Sequence, residues 1–324
     1  MYATVNASRL VPLLGLAALS ALPACSSSPA PPGPALPGFE GLEQDAANQG
    51  RTSVNTPIQA APMSESARVG QIMVDLDIAL KSWTEAMSLP RDAENQETVN
   101  YAAYAIGAKV AEHRQMLEGQ AISGAPRNRG IASAALGFSG DPSVLPLLLN
   151  NVSSSDPEVV SKALLAVGVL SAEDTAIAPL AEALRTMPQE RAVVRNAAFA
   201  MFQLAAKVGT DPDGALSAAL VGLVRDEDAS VRAQALLGLG LVRANQALPA
   251  ISDHLAADPA PSVRTAAAYA LGQIGAQAST PALVASLNDP DSYTAGAARA
   301  ALTRIHGQDL GPDAASWRSV MPRR

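Results

Sequence analysis

Apolar residues recur at spacings of three and four from residue 66 to residue 88, where the run is followed by Pro90. This spacing puts the apolar side chains on one face of a helix, and a proline ends such a helix. A second stretch, from about residue 97 to residue 119, also has an apolar side. Together they predict an N-terminal helical hairpin over residues 65–126. The apolar positions of the first helix are Val69, Ile72, Met73, Leu76, Leu80, Trp83 and Met87.

From about residue 127 the chain repeats an alanine-rich apolar segment. Equivalent positions fall at residues 137, 168, 203, 240, 272 and 303, which are separated by 31 to 37 residues. Shorter apolar segments lie between them, and Asp-Pro pairs recur in the intervening turns, where aspartate can cap a helix and proline fits its first turn. A period of this length is typical of two-helix solenoid units, so we predict a solenoid over residues 127–308.

The repeats carry the pattern Asp-x-x-Val-Arg followed by Ala-x-x-Ala-Leu-Gly, most clearly at Asp228–Gly240 and Ser262–Gly272. This pattern resembles HEAT repeats of the phycobilisome-lyase-type HEAT-like family. The resemblance implies an all-α fold, an α-solenoid of about five to six helical hairpins whose second helices line a concave surface. The tail over residues 309–324 is similar to segments that close such arrays, and we expect Trp317 to cover the end of the solenoid.

An apolar, uncharged run over residues 11–24 follows Arg9 and precedes Cys25. It is shorter than the roughly 20 residues of a membrane-spanning helix and predicts a secretory signal peptide over residues 1–24. The sequence Leu-Pro-Ala-Cys ending at Cys25 resembles the bacterial lipobox, which implies that this cysteine is lipidated and becomes the mature N-terminus. The alternative is a secreted protein that is cut after an Ala-x-Ala-like site and retains a spare cysteine.

Residues 25–64 are rich in Ser, Pro, Ala and Gly, and this composition predicts a disordered tether. A lipidated Cys25 would place the chain in the cell envelope, facing the periplasm or the exterior. Ser26 stands where an aspartate is associated with retention in the inner membrane, so the resemblance favours the outer membrane in a cell that has two. No later stretch is long and apolar enough to span a bilayer, so we expect membrane attachment through the lipid alone.

Composition narrows the possible functions. The net charge is −7 and aromatic residues make up 3% of the chain, so it lacks the basic surface and the stacking side chains of a nucleic-acid binder. A single cysteine cannot form an internal disulfide bond.

Residues with catalytic or metal-binding potential are few and scattered. His113, His254 and His306 lie on different helical segments, and none has a histidine or cysteine at metal-ligand spacing. The Gly-x-Gly ending at Gly240 lies within a predicted helix, and no Gly-x-Ser-x-Gly motif occurs. The sequence therefore predicts no catalytic residue, no cofactor-binding site and no metal site.

Arg195, Arg232 and Arg264 recur at one repeat position. They could form a basic ladder for an anionic ligand, but we favour ion pairs with neighbouring aspartates that tie adjacent repeats together.

Positions four apart on the predicted second helices form a largely apolar stripe that turns polar in the last repeats. Such a stripe could bind a helix or an extended peptide of a partner. The alternative is that the face is misassigned by one position and these residues belong to the core. The predicted stripe consists of Leu165, Val169, Leu204, Leu237, Leu241, Tyr269 and Gln273.

Solenoids present long surfaces that bind other proteins, so the resemblance favours a non-catalytic scaffold or adaptor for another cell-envelope protein. One alternative is a lipoprotein that binds a solute or the cell wall. A second is an enzyme related to the bilin lyases, which would need a chromophore pocket with aromatic residues, and these are scarce here.

Overall fold

The computed structural model describes residues 64–89 and 92–321, and within these ranges all regular secondary structure is helical. The predicted signal peptide, Cys25 and nearly all of the predicted tether lie outside the described residues. The α-helices are α1 (Glu65–Ser88), α2 (Ala93–Ser123), α3 (Pro126–Leu136), α4 (Leu145–Val152), α5 (Pro157–Leu170), α6 (Ile177–Thr186), α7 (Arg191–Val208), α8 (Ala215–Leu223), α9 (Ala229–Leu241), α10 (Leu248–Ala257), α11 (Pro261–Ile274), α12 (Thr280–Ala285) and α13 (Ser292–His306).

The helix starts follow from local sequence. The side chain of Asp156 accepts hydrogen bonds from the backbone N–H groups of Glu158 and Val159, and Pro157 occupies the first position of α5. Aspartate thereby satisfies donors that a helix start leaves unpaired, while proline has no N–H to satisfy. Asp92 caps α2 in the same way, which explains why α2 starts four residues before the position expected from its apolar pattern.

The solenoid consists of two layers. The second helices α3, α5, α7, α9, α11 and α13 pack side by side in chain order, and the shorter first helices α4, α6, α8, α10 and α12 pack against them. The predicted all-α solenoid is therefore confirmed.

Glycine allows neighbouring second helices to approach closely. A Cβ atom on Gly137 would lie 2.6 Å from the Cα of Ala166, and one on Gly240 would lie 2.6 Å from the Cα of Ala270. Both distances are shorter than two carbon atoms can tolerate. The Leu-Gly ending of the repeat therefore has a packing role, because the next helix occupies the space of a side chain.

The two ends of the array differ. At the N-terminus, the long helix α2 bends at His113 and packs against α1 and α3. At the C-terminus, Trp317 is fully buried, its indole N–H donates to the carbonyl of Gly311 at 2.9 Å, and its ring lies 6.0 Å from that of His306. The segment after α13 thus folds back onto the last helix.

Candidate protein-binding face

Each second helix has one side that faces away from the first helices. Asn151 of α4 donates a hydrogen bond to Ser133 of α3, so this serine marks the side of α3 that faces the first-helix layer. Phe138 follows five positions later, about 140° around the axis if the helical turn is continued. Phe138 therefore belongs to the opposite side, which we call the second-helix face.

Helix α1 lies across this face. The indole of Trp83 is perpendicular to the ring of Phe138, with centroids 5.1 Å apart, and it also meets the ring of Phe199 on α7 edge to face at 6.5 Å. Edge-to-face contacts of this kind are favoured by the charge distribution of aromatic rings. Only 1% of Trp83 is exposed, so the aromatic contacts form a buried anchor between α1 and the solenoid.

A buried carboxylate anchors the preceding part of α1. The side chain of Asp77 lies 3.1 Å from Lys162 Nζ on α5, 3.1 Å from Arg127 Nη2 on α3 and 3.0 Å from Lys81 Nζ on α1 itself. Burial opposes the ionisation of Asp77, but the hydrogen bonds from Lys81, Lys162 and Arg127 outweigh it and hold its pKa at about 2. Through Asp77 and Trp83, α1 contacts three consecutive second helices.

The predicted stripe is partly wrong. Leu204 is 2% exposed and belongs to the core, because α7 is shifted by one position relative to the alignment. Gly168 packs against Ala200 in the same way that Gly240 packs against Ala270. Ala200 of α7 therefore corresponds to Ala270 of α11. The residue before it, Phe199, corresponds to Tyr269. The residues of α7 on the second-helix face are therefore Phe199 and, one turn later, Gln203.

The prediction that Leu237 belongs to an accessible stripe is also wrong. The residue has the expected register but is 1% exposed, so it offers no area to a partner. It lies on α9, which packs against α7, α8 and α11. Leu165, Val169, Leu241, Tyr269 and Gln273 are half-buried.

The face continues beyond α1 into the last repeats. Leu241 on α9 and Tyr269 and Gln273 on α11 are half-buried, while Ala300 and Arg304 on α13 are exposed. This portion combines an aliphatic side chain, an aromatic ring, an amide and a guanidinium. Such a mixture is typical of protein-binding surfaces, where aromatic and arginine side chains contribute most.

The three repeated arginines contact aspartates of the following repeat. Arg232 binds Asp258 through two hydrogen bonds of 2.8 and 2.9 Å, and Arg264 binds Asp289 through two of 2.8 and 2.9 Å. Arg195 forms one bond of 2.6 Å to Asp228. These ion pairs therefore link adjacent repeats, and the three guanidinium groups do not form a ladder that is free to bind an anionic ligand.

These ion pairs differ in burial. The side chains of Arg232 and Asp258 are 11% and 2% exposed, whereas that of Arg195 is 59% exposed. Burial raises the pKa of Asp258, but the hydrogen bonds from Arg232 and its other partners dominate and keep it below the usual value. The carboxylate is thus ionised and engaged in a structural contact.

The three histidines remain apart. His254 lies 2.9 Å from Asp258, His306 lies 2.9 Å from the hydroxyl of Thr280, and His113 lies 3.6 Å from Glu112. Among residues 64–89 and 92–321, no group of three or more His, Cys, Asp or Glu side chains could hold a metal ion. Within the same residues, no helix combines the length and apolar character needed to cross a membrane.

The sequence pattern did not single out Asp77, Phe138 or Phe199. Asp77 could have been singled out because it lies on the apolar side of α1, one turn after Met73 and three positions before Leu80. An acidic residue in a buried stripe requires a positively charged partner. Phe138 and Phe199 carried no comparable signal, since their role depends on α1 folding back over the solenoid.

Residues 216–303 match the family model of HEAT repeats, which confirms the resemblance over the stretch from α8 to α13. No curated protein matches the chain. The matched stretch covers the repeats in which the Val-Arg and Leu-Gly pattern is most regular.

Solved structures with similar arrangements include human deoxyhypusine hydroxylase in complex with glycerol, which is 21% identical, with 75% of this chain and 100% of that chain covered and a TM-score of 0.36. An engineered protein is 18% identical, with coverages of 78% and 75% and a TM-score of 0.47. The complex of CpcE and CpcF of phycocyanin lyase from Nostoc sp. PCC7120 is 16% identical, with coverages of 82% and 97% and a TM-score of 0.37. Similarity at this level carries no inference about function.

Proposed function

We propose that this protein is a non-catalytic scaffold that binds another cell-envelope protein through its second-helix face and is anchored by a lipid on Cys25. The observation that supports the binding role is the position of α1. A helix from the same chain lies across α3, α5 and α7 through an aromatic anchor and an ion-pair cluster. A face that accommodates one amphipathic helix is suited to binding another.

The portion of the face beyond α1 is the binding surface that we assign to the partner. Leu241, Tyr269 and Gln273 are partly exposed, and tyrosine is a side-chain type that is enriched at protein interfaces. We do not assign partner binding to the repeated arginines, because Arg232 and Arg264 form ion pairs with Asp258 and Asp289. A partner would therefore contact a surface whose underlying layer is already held in place.

Crosslinking in living cells, followed by mass spectrometry of the tagged protein, tests this proposal. The informative variant is Tyr269→Ala combined with Gln273→Ala, which truncates the face without introducing a buried charge. Val221→Ala is the matched control, since Val221 is exposed on the first helix α8. We expect one envelope protein to be crosslinked by the wild type and the control and lost in the double variant. An unchanged set of crosslinked proteins in the folded double variant would contradict the proposal.

The lipid anchor has its own test. Cys25→Ser removes the only thiol of the chain. We expect the wild type to incorporate a labelled fatty acid and to sediment with membranes, and the variant to lose both properties. Equal labelling of the two chains would exclude lipidation at Cys25 while leaving the binding role to be decided by the crosslinking experiment.

A further inference from the structure

Helix α2 carries a second apolar stripe, on the side opposite its buried residues. The buried side of its first half includes Val99, Ala103, Ile106 and Val110. Tyr101 lies two positions after Val99, which places it about 200° around the helix axis from that residue. Tyr101 and Tyr104 are 74% and 70% exposed, the two largest fractions among the exposed large apolar side chains of the described residues. Aromatic area left in water on this scale points to a contact surface.

The stripe has the spacing of a coiled-coil seam. Steps of four and three residues alternate along α2 from position 97 to position 115, and an alternation of this kind keeps side chains on one face for packing against another helix. Every residue at these positions is exposed, and the four central ones lie before the bend at His113. The stripe therefore fits the side of a second helix. Its residues are Glu97, Tyr101, Tyr104, Ala108, Ala111 and Gln115.

The order of large and small residues makes this stripe complementary to itself when two copies run antiparallel. If Tyr104 of one copy lies opposite Ala108 of another, then Tyr101 lies opposite Ala111. Each ring then packs over a small side chain, an alternation that lets facing surfaces interdigitate. In this register the charged side chains of α2 between residues 97 and 115 all face uncharged residues. A parallel pair would instead place Glu97 against its own copy.

The exposed area indicates how strong such a contact can be. An aromatic side chain buries about 150–250 Å², so the four tyrosines of two copies would remove roughly 400–700 Å² from water. A specific interface needs about 1,000 Å², and the alanines and the stems of flanking side chains have to supply the remainder. We therefore expect a weak dimer that forms at high local concentration.

From the exposed tyrosines, their spacing and their match to the two alanines, we infer that α2 is a dimerisation helix. It pairs antiparallel with α2 of a second copy about a twofold axis between positions 104 and 108, so that the same surface is used on both copies. The contact lies on a different helix from Tyr269 and Gln273, to which we assign the envelope partner. A dimer would thus present two second-helix faces and could bind two partner segments at once.

Sedimentation equilibrium of the full chain with Cys25→Ser, which removes the only thiol, tests the inference. We expect a mass that rises with concentration towards that of two chains. Adding Tyr101→Ala and Tyr104→Ala should weaken association about tenfold or more, because truncated aromatic anchors dominate the loss of binding. Tyr293→Ala is the matched control, since Tyr293 is 52% exposed on α13.

The control should dimerise as the Cys25→Ser chain does. Circular dichroism should show the same helix content for all of these chains, because each substituted tyrosine is exposed. The mass of a single chain at all concentrations up to about 1 mM would overturn the inference, since a dimer weaker than this has little specific binding energy. Equal association of the double tyrosine variant and the control would also overturn it.

Cysteine pairs test the register. In the inferred arrangement Glu97 of one copy lies opposite Gln115 of the other, whereas the two copies of position 97 are about 27 Å apart along the axis. In the Cys25→Ser background, a mixture of Glu97→Cys and Gln115→Cys chains should therefore form disulfide-linked dimers faster than either chain alone. Dimers of the Glu97→Cys chain alone at the same rate would contradict the antiparallel pairing.

A helix of the envelope partner is the other occupant that the stripe could bind. Loss of the crosslinked partner in the double tyrosine variant, with both chains monomeric, would assign the stripe to that partner and overturn the inference. In contrast, a failure to dimerise leaves the role of Tyr269 and Gln273 to be decided by the crosslinking experiment, because they lie on α11.

Discussion

The two halves of the solenoid are held together by different interactions. In the N-terminal half, from α1 to α7, a helix laid across the second-helix face joins consecutive repeats through Asp77 and Trp83. In the C-terminal half, from α8 to α13, arginines on second helices bind aspartates of the next repeat. The arginine–aspartate pairs join adjacent repeats without covering the second-helix face, whereas α1 lies across it. The comparison shows that one architecture can be stabilised with or without covering its second-helix face.

The largest effect on this comparison should come from Trp83→Ala. Removing a buried tryptophan that contacts two phenylalanines costs about 3–5 kcal/mol of stability. Because a repeat array need not unfold as one unit, hydrogen exchange should locate the loss in α1 to α7 and leave α11 protected. Ile78→Ala, on the exposed side of the same helix, should change stability by less than about 0.5 kcal/mol.

Asp258→Ala probes the opposite half. It leaves Arg232 buried without its carboxylate, which we expect to cost about 3 kcal/mol. Arg195→Ala removes the exposed member of the same series and should cost between about 0 and 1 kcal/mol. Urea unfolding of both variants, with exchange protection as the local readout, tests the contrast. Equal losses of stability in the two variants would show that burial does not determine how much each arginine–aspartate pair contributes.

Gly240→Ala tests how closely the second helices pack. The added Cβ would lie 2.6 Å from the Cα of Ala270, so α9 and α11 must separate, at a cost of about 1–3 kcal/mol. Gly222→Ala on α8 has open space around its Cβ and should stabilise the helix by about 0.5–1 kcal/mol. Thermal unfolding of the two variants should therefore shift in opposite directions, and a shift in the same direction would contradict the packing role.

Acidification should loosen the attachment of α1 to the solenoid. The pKa of Asp77 is lowered to about 2 in the folded chain, so its contribution is fully present above the unfolded pKa near 4 and is lost as the pH falls through 2. Since Lys81 and Arg127 are largely exposed, we expect about 1–2 kcal/mol after solvent screening. Exchange of α1 measured at pH 6 and pH 3 should reveal part of this loss, and Asp77→Asn should remove that pH dependence.

The helical periodicity and the repeat spacing identified the solenoid, because each two-helix unit carries its own pattern of apolar residues, caps and turns. Helix ends were less well determined, since α2 begins at the cap formed by Asp92 rather than where its apolar side begins. The face of α7 was assigned one position out because the longer α7 unit departs from the Leu-Gly ending that fixes the register elsewhere. Local pattern therefore predicted the elements better than it predicted which side chains reach the surface.

By itself, the sequence determined the helical class and the period of the array, since these depend on interactions between residues close in the chain. The Asp-Pro pairs at Asp141 and Asp156 cap helices as predicted, whereas the N-caps of α11 and α13 are Ala260 and Asp291. Only the tertiary structure decided that α1 crosses the second-helix face. That contact joins Asp77 to Lys162 and Trp83 to Phe199 across long stretches of chain, and no local pattern encodes which of several apolar surfaces a helix will cover. The sequence predicted Tyr269 and Gln273 as part of the stripe, and only the tertiary structure separates their part of the face from the part that α1 covers.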